Sequence, residues 1–106
     1  AHWCTLWAFA TMFVQSNDKF YAPANGALDL FDANGKPISG NLTASVRLFD
    51  AGTEVDQQPG AGGDQAPRQK AANQGATQNA AVAQANDGFA YPPVGEVIRI
   101  EIRSDN

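Results

Sequence analysis

Carboxylates stand directly at the ends of two apolar runs. Asp18 closes the polar stretch Gln15-Ser16-Asn17-Asp18, which follows WCTLWAFATMFV without a break. Asp50 and Glu54 bracket the tight Ala51-Gly52-Thr53 turn that follows TASVRLF. Calcium takes several hard oxygens in a flexible geometry, from carboxylates, backbone carbonyls and water. Two carboxylates around a glycine turn can converge on one ion if Asp18 approaches from a neighbouring loop. Left unneutralised together, the three would repel one another, which gives a divalent cation an electrostatic reason to bind. The site expected from these residues is a calcium ion held by Asp18, Asp50 and Glu54. The competing reading is that loop aspartates of this kind cap turns through Asx hydrogen bonds.

Other chemistry lacks its parts. His2 is the sole histidine and Cys4 the sole cysteine. A catalytic triad therefore has no base, histidine-based zinc or copper sites have no partners, and no internal disulfide can form. Gly60-Ala61-Gly62-Gly63 has neither the strand before it nor the helix after it that a phosphate loop needs. Asp32-Ala33-Asn34-Gly35 looks like a fragment of an EF-hand loop but lacks the spacing, the closing glutamate and the flanking helices. Asn41-Leu42-Thr43 is a glycosylation sequon. Acidic residues total 11, yet nothing singles out two of them as an acid–base pair. The chain reads as non-enzymatic. A net charge of −4 and a pI near 4.6 argue against nucleic acid and against an anionic membrane surface. The apolar start, Ala1 to Val14, has no basic region before it and is too short to span a bilayer, so it reads as a strand rather than a targeting or membrane segment. Any export signal is expected upstream of Ala1.

The elements that must position the carboxylates are strands. Residues 3–14 place Trp3, Thr5, Trp7, Phe9, Thr11 and Phe13 on one face and Cys4, Leu6, Ala8, Ala10, Met12 and Val14 on the other. Apolar groups on both faces predict a central strand covered on both sides. Residues 27–32 predict a second strand, closed by the Asp32–Gly35 turn and returning at Ile38, since Asn-Gly supplies the positive φ of a tight hairpin. Residues 43–49 predict another. Residues 96–103 alternate, with Ile98, Ile100 and Ile102 on a buried face and Val97, Arg99, Glu101 and Arg103 on a wet one. Between Val55 and Val94 the chain turns to Gly, Ala, Gln and Asn, with almost no apolar residue larger than alanine until Phe89. Such a stretch cannot offset its ordering entropy by apolar burial, and it predicts one long polar loop over about 55–93. A weak helix over 71–85 is the alternative within it. The fold class is all-β, in a single domain spanning residues 1–106.

The blocks ATMFVQSNDKFYAP, LFDAGTEV, QAPRQ and NDGFAYPPVGEVIRIEI, in that order, resemble bacterial members of the spondin domain family over about Phe9 to Ile102. The resemblance implies a C2-like antiparallel β-sandwich, which in the animal F-spondins belongs to extracellular matrix and adhesion proteins and carries a calcium site. The family's metal-binding aspartate corresponds to Asp18, and its Asp-Ala-Gly-Thr-Asp motif to Asp50 through Glu54, with Glu in place of the second Asp. Two departures stand out. Lys19 puts a cation beside Asp18 where the family often has a bulky apolar residue, and the family's earlier strands have no counterpart before Leu6. A sandwich without them exposes strand edges, so a longer protein or another chain adding a strand is expected to complete it. The function implied is a secreted, calcium-binding recognition or adhesion module that meets a protein partner. The second reading is a structural subunit that assembles with copies of itself, as an oligomer or filament, by strand complementation.

Overall fold

The computed structural model describes residues 5–103, so the readings of His2, Trp3 and Cys4 lie outside the described residues. Along the chain run β1 (Leu6–Trp7), β2 (Thr11–Met12), β3 (Lys19–Pro23), β4 (Leu28–Asp29), β5 (Gly40–Asn41), a 3₁₀ turn (Thr43–Ser45), β6 (Val46–Asp50), β7 (Ala83–Gln84), α1 (Val94–Val97) and β8 (Glu101–Ile102). The pairings β1–β4, β2–β3, β5–β8 and β6–β7 are all antiparallel. The fold is all-β with almost no helix. The chain forms two compact units. One contains residues 5–9, 22–47 and 92–103, the other residues 10–21 and 48–91.

In the first unit β1 pairs with β4, with Leu6 opposite Asp29 and Trp7 opposite Leu28. The predicted hairpin after β4 is present. Asp32 Oδ1 accepts the backbone N–H groups of Asn34 and Lys36 at 2.8 and 3.0 Å, and Gly35 takes φ +75°. Ile38 N–H then returns to the Leu30 carbonyl at 2.9 Å. The turn thus has the aspartate and the glycine that its geometry requires. β5 pairs with β8, with Gly40 opposite Ile102 and Asn41 opposite Glu101. The predicted alternation of residues 98–103 holds in burial: Ile98, Ile100 and Ile102 are half-buried while Arg99, Glu101 and Arg103 are exposed. Its start differs from expectation. Pro92-Pro93 leads into α1, and the chain becomes extended only at Ile98, with φ −138° and ψ 148°. Leu28 and Val46 form this unit's buried apolar core.

The second unit contains the paired stretches of a sheet ordered β2-β3-β6-β7. Thr11 lies opposite Tyr21 and Met12 opposite Phe20, while Phe49 lies opposite Gln84 and Asp50 opposite Ala83. The alternation of β3 turns Lys19, Tyr21 and Pro23 to the buried side. Tyr21 packs on Phe13 at a ring separation of 5.8 Å, Phe13 meets Tyr91 edge-on at 6.2 Å, and Phe20 stacks on Phe49 at 5.7 Å. The single covered strand expected over 3–14 is instead two short strands, one in each unit. Leu6, Trp7, Met12 and Val14 are exposed, so this run does not form the covered centre of a sheet.

The long polar segment is neither a structureless loop nor a helix. Residues 76–80 run extended beside 52–55. Val55 N–H donates to the Ala76 carbonyl, Gln78 N–H to Thr53 and Ala80 N–H to Gly52, at 2.8, 3.0 and 2.9 Å. Glu54 bridges Thr77 between them, and the pairing of β7 with β6 continues the same antiparallel run. Backbone hydrogen bonds provide what the small side chains cannot. Gly52 is where the two stretches come closest: it has φ +74°, and a Cβ there would overlap the Ala80 carbonyl.

Candidate functional site

The site lies wholly within the second unit and begins with a tight reversal between β2 and β3. Ser16 N–H and Ser16 Oγ both donate to the Phe13 carbonyl, Ser16 Oγ accepts Lys19 N–H at 3.1 Å, and Phe13 N–H donates to the Lys19 carbonyl at 2.9 Å. This closes residues 13–19 into a compact loop and points Asp18 at the end of β6. There Asp18 Oδ2 accepts the backbone N–H groups of Thr53 and Glu54 at 2.9 and 3.0 Å and the Thr53 hydroxyl at 3.2 Å. Asp50, the last residue of β6, accepts Gly52 N–H on Oδ1 at 2.8 Å. Asp50 therefore caps the Ala-Gly-Thr turn through a local Asx hydrogen bond, while Asp18 caps the same turn from a distant part of the chain.

Their remaining oxygens face the ammonium of Lys19. Lys19 Nζ lies 3.1 Å from Asp50 Oδ2, 3.0 Å from Asp87 Oδ2, 4.0 Å from Asp18 Oδ1 and in close contact with Asp56. The lysine side chain is 0 % exposed, and those of the four aspartates are 7–17 % exposed. Asp87 also accepts Phe89 N–H and, on Oδ2, the Tyr91 hydroxyl at 2.6 Å. The Tyr91 ring centroid lies 5.7 Å from the ammonium. An unpaired buried ammonium would be strongly disfavoured; here charge-assisted contacts surround it.

The protonation states follow. Burial alone would lower the Lys19 pKa, but hydrogen bonds to Asp56, Asp87 and Asp50 outweigh it and hold it well above the usual lysine value. Burial works to raise Asp50, yet the Gly52 N–H, the Asp56 carboxyl and Lys19 together hold it below the ordinary carboxylate value. Asp87 is opposed by burial in the same way and lowered by Tyr91 and Lys19. Asp56 goes the other way. Its burial, and hydrogen bonding with Asp50 and Asp18, outweigh Lys19 and push it up to about 7. Asp18 Oδ1 is buried without a hydrogen-bond donor, 4.0 Å from the Lys19 ammonium, whereas Asp56 Oδ1 lies directly against it. Burial and the hydrogen bond to Asp87 raise the Tyr91 phenol.

Of the three expected ligands, the structure brings Asp18 and Asp50 together and sends Glu54 elsewhere. Glu54 Oε1 accepts Asn17 Nδ2 at 2.9 Å and lies against Gly75, where φ is +113° and a Cβ would displace the Glu54 carboxylate. The third carboxylate that joins Asp18 and Asp50 is Asp56, and one oxygen from each of these three falls within 4.8 Å of the others. Asp87, Tyr91 and Lys19 complete the cluster. These donors suit a hard cation, but Lys19 Nζ lies against the oxygens a calcium ion would use. With Lys19 in this position the residues do not fit the ion.

Beside this cluster a second network, centred on the amides of Gln65, Asn17 and Gln57, fastens the polar segment. Gln65 is 0 % exposed and donates through Nε2 to Asn17 Oδ1 and to the carbonyls of Gln57 and Gln58, at 3.2, 3.3 and 2.8 Å. Its Oε1 accepts Gly60 N–H and Arg68. Asn17, also buried, accepts Gln57 N–H at 2.9 Å, and Asp64 ties Gln57 to Gln74.

No family model matches the chain, and neither the curated proteins nor the solved structures provide a match.

Proposed function

We propose that this chain is a non-enzymatic recognition or adhesion module of spondin type, a C2-like β-sandwich acting outside the cell, that meets a protein partner through the segment between Gly52 and Tyr91. The observation that carries this reading is that this Gly-, Ala- and Gln-rich segment is pinned at two wholly buried polar side chains, Lys19 and Gln65. Loops fixed in advance lose less conformational entropy on binding than mobile ones. The rest of the segment leaves Lys70, Asn73 and Asn79 exposed, a polar surface suited to contact. Chemistry at the lysine is disfavoured by its position. An amine wholly buried and held cationic is neither a nucleophile nor a base. Among the described residues no helix is long and apolar enough to cross a membrane.

The test is to probe displayed matrix proteins and glycans with the chain and with its Gln65→Ala variant, which releases the segment. The expected result is capture of a protein by the parent chain and binding roughly tenfold weaker by the variant, since losing a buried amide costs about 1–3 kcal/mol and about 1.4 kcal/mol is tenfold. Absence of capture, or equal capture by both, rejects the reading.

Self-assembly remains the second reading, favoured by the exposed apolar residues on the outer strands of the β2-β3-β6-β7 sheet. Met12 and Val14 are 46 % and 49 % exposed at one edge, and Val82 is 61 % exposed beside the other. Open edges of this kind accept further strands. Light scattering across a concentration series decides it: a monomer throughout rejects it, and growth that Met12→Lys abolishes supports it.

A further inference from the structure

We infer that Lys19 is a built-in counter-ion that takes the place of a divalent cation, so the junction of residues 16–18, 50–57 and 87–91 closes without metal. Asp18, Asp50 and Asp56 each offer an oxygen within 4.8 Å of the others, the spread that a single small cation spans. The position among them is filled by an ammonium from the chain itself, 0 % exposed, with ion pairs to Asp50, Asp56 and Asp87. Lys19 reaches it by the alternation of β3, which places it on the same buried side as Tyr21 and Pro23. The reversal at residues 13–19 holds its backbone in place, with its N–H and carbonyl engaged by Ser16 and Phe13. A tethered ammonium has no dissociation constant to satisfy. A metal at the typical extracellular affinity of about 10⁻⁴–10⁻³ M would leave the junction open whenever the ion is scarce.

The charge balance sharpens the point. Four carboxyl groups face one ammonium, and burial with its acidic neighbours raises the Asp56 carboxyl among them. Glu54 takes no part, being held by Asn17. The inference concerns how the junction is closed and stands whether or not the module recognises the partner class proposed above.

Three measurements test it. The first follows thermal melting of the full chain in chelator and in millimolar calcium chloride. The expected result is coincident melting, whereas a rise with calcium overturns the inference. The second is reductive methylation read by peptide mass spectrometry, with exposed Lys36 and Lys70 as internal references. Lys19 is expected to stay unmodified in chelator while both references react, and methylation of Lys19 at their rate overturns the inference. The third is Lys19→Met, which keeps an unbranched side chain one atom shorter and removes its charge. In chelator its melting temperature is expected to fall by more than about 10 °C, and calcium is expected to recover at least about half of that loss. A folded variant indifferent to calcium shows that the cluster accepts no divalent ion and overturns the substitution. If the variant does not fold in either condition, the inference is decided by the first two measurements, neither of which uses it.

Discussion

Lys19 Nζ lies 3.0 Å from the same Asp87 oxygen that accepts the Tyr91 hydroxyl at 2.6 Å. One carboxylate thereby links the first residue of β3 to the far end of the polar segment, and the Tyr91 ring in turn meets Phe13. Charge pairing and aromatic packing are coupled at this corner, so removing either side leaves the other without support.

Loss of the ammonium is the severest single change expected in the second unit. Breaking a buried ion pair from one side typically costs about 3–5 kcal/mol, because the opposite charge stays buried without a partner. Lys19→Met is therefore expected to lose stability in that range by urea denaturation in chelator, and Lys36→Met, at an exposed position, less than about 0.5 kcal/mol.

Stability should peak in mildly acidic solution. Asp50 and Asp87 have native values below the unfolded one, so their contribution is present above the unfolded value and is lost as pH falls through the native ones. Asp56, at about 7 in the folded chain, has the opposite sign. Its contribution is complete below the unfolded carboxyl value of about 4 and is lost as pH rises through about 7. Thermal melting is expected at higher temperature near about pH 5 than near about pH 8, with a second decline in strong acid. Asp56→Asn, which fixes the uncharged form, should flatten the neutral limb and leave the acid limb.

Gln65→Ala should release the polar segment selectively. It leaves the Gln57 and Gln58 carbonyls and Gly60 N–H without their side-chain partner, at a cost of about 1–3 kcal/mol. Amide exchange is expected to accelerate at Gly60, Arg68 and Gln69 before it does in β3.

Two glycine substitutions separate strain from collision. Gly26 and Gly52 both have positive φ, at +87° and +74°, but a Cβ at Gly26 meets nothing within 4 Å while one at Gly52 overlaps the Ala80 backbone. Gly26→Ala is expected to cost about 1–2 kcal/mol from the left-handed backbone alone. Gly52→Ala should cost clearly more and weaken the pairing of 52–55 with 76–80, as read by denaturant titration.

What could be read in advance was local. The Asp32–Gly35 hairpin was legible from residues whose backbone preferences specify it, and the alternation of Ile98, Ile100 and Ile102 from period alone. The approach of Asp18 to Asp50 followed from placing polar residues at strand ends. Asp56, Asp87 and Tyr91 were missed because they sit in a segment without hydrophobic period, and nothing local aims a loop aspartate. One signal was present: with β3 read as a strand, Lys19 shares the parity of Tyr21, which turns the lysine inward and demands acidic partners. The segment 55–93 holds only Asp56, Asp64 and Asp87 as acidic residues, a short list from which to find them. Apolar residues on both faces of 3–14 do not imply cover on both faces, since Leu6, Met12 and Val14 are exposed.

The polar junction also sets when the second unit can form. Residues 16–21 take their partners from 50–57, 65 and 87–91, so large chain loops must close before those contacts repay the entropy spent. On a ribosome, Lys19 emerges well before Asp56 and longer still before Asp87, and until then it remains hydrated and uncommitted. The second unit thus lacks its full set of contacts until the stretch ending at Tyr91 has been made.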